Sequence, residues 1–453
     1  MPRFGFAYKV NPRMVVRGGY GVTDELESTG YGLRMTQNPP FLPSFAQTSI
    51  PPAATNGGTP FPVENGFVTN SSANQDVNGA GYSAWDPNMR PAVIQQFNLT
   101  AEYQIDNHTS VQAGYVGNIG QHLAVPLWIN QFTEDVPGNA PNTTGSCDAT
   151  CYQAIDPFYA LVGGGGDVIE TTSRGISNYH SLQATLQRHQ AQGLELLLNY
   201  TYGKSMTNNV GYFGVDGFSV DDSFWQDLNN PRADYGPTSF DVRQAVSASA
   251  VYQLPFGHGK QFFGNWNRVT DEALGGWQLA LTARLNSGLP LSVTQGNNCY
   301  NNCPGNADGV QHANQYHPMK ITGRGTSAAG VFNWFGTDPS ALPCTGHYDV
   351  ATGAGSAPNG TCAYGRSQDF GNASVGTLRG PGFQDYDLSL SKGFRIIENE
   401  SLKVRVDAFN AFNIASYGNP SSRITGGTSP GFGVISGTES APRQLQLSLV
   451  YQF

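Results

Sequence analysis

Charge is scarce in this sequence. Asp, Glu, Lys and Arg make up 13% of its 453 residues, about half the share of roughly 25% that soluble domains carry. What charge there is runs acidic, with a formal net of −9. That balance excludes the basic footprint of a nucleic-acid-binding protein and a polybasic patch for an anionic membrane surface. Long hydrophobic runs are missing as well: no stretch approaches the ~18 apolar residues of a membrane-spanning helix. The opening residues, MPRFGFAYKVNPRM, lack the apolar centre of a secretory signal. Strong helix formers give way to 56 Gly, 28 Pro, 21 Tyr and 25 Phe. Turn and strand formers on that scale argue against a helical or α/β enzyme.

What the chain does have is alternation with a period of two. In RQLQLSLVYQF, the residues Leu445, Leu447, Leu449, Tyr451 and Phe453 share one side, and Gln444, Gln446, Ser448 and Gln452 share the other. Successive side chains of a strand point to opposite faces, so this segment has one apolar and one polar face. The same pattern marks 93–105, 194–202, 277–285 and 386–390. It is weaker near 2–10, 13–22, 109–117, 178–188, 240–254 and 401–411. The expectation is an all-β fold of eleven strands.

The connections alternate in length. Short turns at Asn11-Pro12, at Asp106 to His108, near Gln190 to Gln192 and near Ile397 to Glu400 are interleaved with loops of tens of residues, the longest at 290–384. The connection 256–275 is intermediate. Short turns on one rim and long loops on the other are the pattern of an antiparallel transmembrane β-barrel, with the short turns periplasmic and the long loops outside. Trp85, Trp225 and Trp334 in those loops predict that the loops pack at least in part. With the last strand running toward the periplasm, the first also runs down, and Met1 falls at the outer rim. Single-chain bacterial barrels have even strand numbers. Eleven is half of the 22 strands of the plugged transporters. The chain is therefore expected to be a partial barrel, about half a wall.

The six cysteines, Cys147, Cys151, Cys299, Cys303, Cys344 and Cys362, all fall in two long loops and outside the expected strands. CDATC and CYNNC repeat one spacing. The spacing suits local disulfides, Cys147 with Cys151 and Cys299 with Cys303, leaving Cys344 for Cys362, although six cysteines allow 15 pairings. A metal site is the competing reading, but the spacing is wrong for zinc and no close histidines complete it. Outward disulfides fit an oxidising compartment. The eight histidines are scattered. Asp216, Asp221, Asp222 and Asp227 form an acidic loop cluster without the spacing of a calcium loop. Gly163 to Gly166 lack the Lys-Ser/Thr of a phosphate loop. No catalytic, cofactor or metal residue is assigned, and the chain reads as a non-enzyme. Charges on the polar sides of the strands (Arg17, Glu102, Arg188, Glu195, Arg243, Arg284, Asp387, Lys403, Arg405 and Asp407) are expected to face a lumen rather than lipid.

Several segments carry a family likeness. They are PRFGFAYKVNPRMVVRGGYGV, NYTYGKSM, DYGPTSFDVRQAVSASAVYQLPFG, GGWQLALTARLNSGLPLSV, RGPGFQDYDLSLSKGFRI, VDAFNAFNIASYGNPSS and PRQLQLSLVYQF. In order and spacing the chain resembles the C-terminal half of the barrel of Oar-like TonB-dependent receptors, the carboxypeptidase-regulatory-like group common in Acidobacteria. The likeness implies ligand uptake across the bacterial outer membrane, driven by TonB. It also implies a signal peptide, an N-terminal β-sandwich, a TonB box and a plug, none of which is found in residues 1–453. TonB would then act only through those missing parts. The terminal Leu445, Leu447, Leu449, Tyr451 and Phe453 resemble the signature read by the barrel-assembly machinery. The implied partners are outer-membrane lipid, that machinery and an extracellular ligand of unknown identity. A structural or adhesive surface barrel without transport is the alternative, and an outer-membrane hydrolase is a third reading.

Overall fold

Eleven strands form one antiparallel meander in which each pairs with its neighbours along the chain. They are β1 (Arg3–Asn11), β2 (Met14–Glu25), β3 (Ala92–Gln104), β4 (Thr109–Trp128), β5 (Val168–Ala191) and β6 (Leu194–Thr207). They continue as β7 (Gln244–Gln253), β8 (Gln278–Asn286), β9 (Phe383–Ile397), β10 (Glu400–Phe409) and β11 (Gln444–Gln452). This computed structural model describes residues 2–25, 82–131, 168–209, 224–295, 312–321, 325–326, 332–336, 338–347, 362–366, 370–397, 400–424 and 431–453, with positions 35, 38, 157, 158 and 160. Two short strands attach at one rim, Tyr82–Trp85 on β5 and Gly236–Pro237 on β6. Among the described residues the sheet is open: β1 pairs only with β2, and β11 only with β10.

The register sorts the side chains. Leu281 lies between Ala250 and Leu388, and Leu279 between Tyr252 and Leu390. Leu182 lies between Tyr115 and Tyr202. Leu445, Leu447 and Leu449 stand opposite Ala408, Val406 and Val404. Across the central part of the sheet one side is thus apolar and exposed, with Leu447 79% exposed. A monomer in water does not sustain an apolar patch of that extent, so this side faces lipid. Tyr386 and Phe394 sit eight residues apart on this face of β9. At about 3.3 Å per residue they are about 26 Å apart along the strand, which a tilt of about 40° turns into roughly 20 Å of depth, within the ~25 Å apolar band of a membrane barrel.

The opposite side is polar. Arg284 lies between Ser247 and Asp385, and Thr282 between Ser249 and Asp387. Arg405 donates to Asp407 at 2.7 Å and to Ser389 at 3.0 Å. Arg17 is paired with Glu102 across β2 and β3. One charge expected on this side is on the other. Arg188 stands opposite Leu196 and shares the face of Leu186 and Leu182. It lies at the short-turn end of β5, where its guanidinium reaches Thr109 at 2.9 Å and Asp106 at 3.8 Å. A long basic side chain at a strand end keeps its stem on apolar surface and its head at the polar rim, so the lipid-side position costs little.

Two strands run further than the alternation indicates. β4 and β5 were expected over 109–117 and 178–188, but their pairing continues to Trp128 and Ile169. There Val125 and Leu127 are buried against Trp225, and Trp128 against Phe224. Both faces of these extensions are covered by loop, so the period of two disappears. The largest buried cluster is also off the sheet, built from Val293, Ala313, Phe335, Tyr364, Ile424 and Phe432. The outer loops therefore form a packed cap. The expectation for two of the loop tryptophans holds: the indole of Trp225 donates to Asn208 O at 2.6 Å, and that of Trp334 to Arg379 O at 3.0 Å.

Candidate functional site

The cap joins three loops through one side chain. Gln226, 3% exposed, donates from Nε2 to Gly371 O at 3.0 Å and accepts from His312 N at 3.2 Å on Oε1. Its own carbonyl accepts from Gln131 Nε2 at 2.6 Å, and Gln131 Oε1 accepts from Leu228 N at 2.9 Å. An amide supplies both a donor and acceptors, which lets one residue knit segments from after β4, after β6 and after β8. Gly371 is required at this crossing. A Cβ there would collide with the carbonyls of His312 and Ala313.

Beside Gln226, the buried Asp234 meets His312 Nε2 at 3.3 Å. Burial holds the Asp234 carboxyl above the ordinary value of 3.8, opposed by the hydrogen bond and charge of His312. A group whose folded value is raised contributes its stability fully in acid and loses it as pH climbs through that raised value. The junction is therefore expected to be tightest in acid and to loosen as Asp234 ionises. Asp234→Asn should flatten that dependence, read as protease susceptibility of the cap across a pH series on intact cells. An unchanged slope in the variant would remove Asp234 as its cause.

A second junction ties the cap to the rim. Asp241, 2% exposed, accepts from Arg379 Nη2 at 2.6 Å, from Arg243 at 3.3 Å and from Ser205 N at 2.7 Å. Arg379 Nη1 also donates to the carbonyls of Asp241 at 2.8 Å and Gly288 at 3.1 Å.

Against the Gln226–Gly371 junction lies a cleft of about 470 Å³, walled by Asp227, Asn230, Arg232, Tyr235, Phe370 and Asn372 among others. Amides, two rings, one carboxylate and one guanidinium suit a polar ligand with some flat surface. Asp227 caps its own turn by accepting from Asn229 N at 2.8 Å. Among the described residues, no group of three or more His, Cys, Asp or Glu is placed to hold a metal ion.

Cys362 is buried and disulfide-bonded. Cys344 falls in a short loop strand, Pro343–His347, paired in parallel with Tyr364–Arg366, and not in strand-free loop as expected. Its side chain, with Cys147, Cys151, Cys299, Cys303, Asp216, Asp221, Asp222 and Gly163 to Gly166, lies outside the described residues. Leu445, Leu447, Leu449, Tyr451 and Phe453 are all exposed on β11 or just beyond it, with the rings of Tyr451 and Phe453 stacked at 6.0 Å. Gln226, Asp234, Asp241 and Arg379 were not singled out from sequence. They occur as isolated polar residues, and only folding brings them together.

Among curated proteins no match was found. Among solved structures, the chain is similar to the outer membrane transporter YddB from Escherichia coli, at 9% identity and a TM-score of 0.44, over 98% of this chain and 39% of that one. It is similar to the FrpB iron transporter from Neisseria meningitidis at 10% identity and a TM-score of 0.38, over 100% and 38%. The ferric citrate transporter FecA matches at 10% identity and a TM-score of 0.39, over 100% and 37%. The chain thus spans less than two fifths of the length of these structures. A family model described as the outer membrane beta barrel domain matches residues 1–446. With an apolar band on one side of its sheet and a polar wall on the other, the chain belongs to the outer membrane beta barrel domain family and resides in the bacterial outer membrane.

Proposed function

We infer that the chain is the C-terminal half of the barrel wall, with its outer loops, of a TonB-dependent outer-membrane receptor that takes up a ligand from outside the cell. The observation that carries this reading is the folded cap with its polar cleft, set on the outer rim of a wall whose inner side is charged. A barrel that served only as scaffold would not need loops with their own buried core and a recess of ligand size. The polar inner side suits water or a plug domain. Eleven strands supply half of a 22-strand wall, and the sequence likeness to Oar-like receptors extends along most of the strands. In this reading the plug and the segment touching TonB belong to other parts of the receptor. In the same reading the disulfides Cys147–Cys151, Cys299–Cys303 and Cys344–Cys362 staple the outer loops.

The test leaves the ligand open. Cells lacking the receptor and cells lacking TonB are grown in one complex medium, and solutes left in the spent medium are compared with wild type. The expected result is the same solute remaining in both mutants. If receptor loss leaves no solute behind but weakens attachment to surfaces, the chain is a part of an adhesive barrel instead.

Assembly has its own test. We propose that the apolar row ending in Tyr451 and Phe453 is read by the barrel-assembly machinery, to which β11 offers an unpaired edge for β-augmentation. Replacing Tyr451 and Phe453 with serine in the full-length protein should lower its outer-membrane level several-fold. Equal levels by immunoblot of membrane fractions would refute the signal.

A further inference from the structure

At the short-turn rim, the connection between β7 and β8 is an insert of about two dozen residues rather than a turn. It contains α1 (Arg268–Leu274), capped by Asn267, whose side chain accepts from Thr270 N at 2.9 Å. Part of the insert's polarity is satisfied within it, while Lys260, Arg268 and Glu272 stay exposed. Asp271 accepts from His258 N at 2.6 Å, and the Trp277 indole donates to Ala273 O at 3.2 Å. Its large apolar groups are left outside: Phe262, Phe263, Val269 and Leu274 are between 47% and 79% exposed. Val269, at 79%, is as exposed as the lipid-facing Leu447 of β11. Phe263 and Trp266 stack at 4.9 Å with their planes 9° apart, forming a flat aromatic face.

The insert sits on the lipid side of the wall. Lys392 stands opposite Val404, on the face of Leu390 and Leu388. Like Arg188 and Lys204 it is a cation on that face, and it is 4% exposed. Its ammonium donates to Gly275 O at 2.5 Å and Asp271 O at 3.3 Å, the carbonyls at the end of α1. It also lies 5.8 Å from the Trp277 ring and 5.0 Å from the Phe394 ring, both on the same face. A cation at the C-terminal end of a helix is favourably placed. Here it also binds the insert to the outside of the barrel, at the edge of the apolar band.

We propose that residues 254–277 form an interfacial anchor that lies in the periplasmic leaflet of the outer membrane, with Phe262, Phe263, Trp266, Val269 and Leu274 among the phospholipid headgroups and upper acyl chains. The occupant is lipid because Lys392 and Trp277 join the insert to the lipid-facing side of the sheet at its short-turn end, the level where barrels carry their aromatic girdle and where aromatic side chains prefer to sit. The proposal does not depend on whether the barrel transports.

The full-length protein, reconstituted in vesicles of phosphatidylethanolamine and phosphatidylglycerol, tests it. The difference in emission between wild type and Trp266→Phe isolates Trp266. Lipid brominated in the upper acyl chain should reduce that emission to about half, as for an interfacial side chain, with little effect of water-borne acrylamide. The double substitution Val269→Asp, Leu274→Asp should restore quenching by acrylamide while the protein still migrates as a folded barrel on unheated gels. If Trp266 in the unaltered protein is open to acrylamide and insensitive to brominated lipid, the anchor is refuted and the patch belongs to a periplasmic protein.

Discussion

Substituting arginine for Leu281 should remove most of the folded protein from the outer membrane, while the same change at Thr282 should leave it in place. The two residues are adjacent in the middle of β8 and differ only in face. Leu281 is flanked by Ala250 and Leu388, Thr282 by Ser249 and Asp387. A basic residue on the lipid side near the midplane costs about 2–4 kcal/mol. On the polar side an arginine at 282 would find Asp387 as a partner. Arg188 and Lys392 escape the cost because they lie at the short-turn end and their heads reach Asp106 and Gly275 O. The measurement is the heat-modifiable band of the full-length protein in outer-membrane fractions. Equal loss in both variants, or loss only at 282, would reverse the assigned faces.

The second large effect is expected at Arg379. Its alanine variant leaves the carboxylate of Asp241, 2% exposed, with only Arg243 and Ser205 as partners, and frees the carbonyl of Gly288. Breaking a buried ion pair from one side costs about 3–5 kcal/mol. Arg243 recovers part of that, so a net of about 2–3 kcal/mol is the reasonable expectation. Each 1.4 kcal/mol is about tenfold in an equilibrium, so the cap should open about 30- to 140-fold more often. Protease added outside intact cells should cut the outer loops correspondingly faster, with the amount of barrel in the membrane unchanged. Arg379→Lys keeps the charge but loses the two-pronged grip and should fall between. Uncut loops in the alanine variant would show that the junction does not hold the cap.

The strands were legible because lipid on one side and water on the other impose a strict period of two. The row Leu445, Leu447, Leu449 could be read directly, and so could Leu279 and Leu281. Where that division ends, so does the signal. In LAVPLW the residues Val125, Leu127 and Trp128 are buried by loop on both faces, and the extension of β4 leaves no alternation to find. The cap was illegible for a different reason. Val293, Ala313, Phe335, Tyr364 and Phe432 pack together from segments far apart in sequence, and no local pattern encodes that meeting. Gln226 and Arg379 are single polar residues whose roles exist only at the junctions they make. The side taken by Arg188 was misjudged because residue type was read in place of register.

Among the described residues, the buried clusters lie in the outer loops and in the rim extensions of β4 and β5 that those loops cover, and this gives the cap and the wall different responses to cold. Opening the cap exposes apolar side chains to water, so it carries a positive heat-capacity change, and the stabilisation weakens on cooling as well as on heating. The outer face of the wall stays among acyl chains whether the cap is closed or open, so this opening draws nothing from it. A chilled cell would therefore keep its barrel wall intact while the surface that meets the outside world becomes the softer part of the protein.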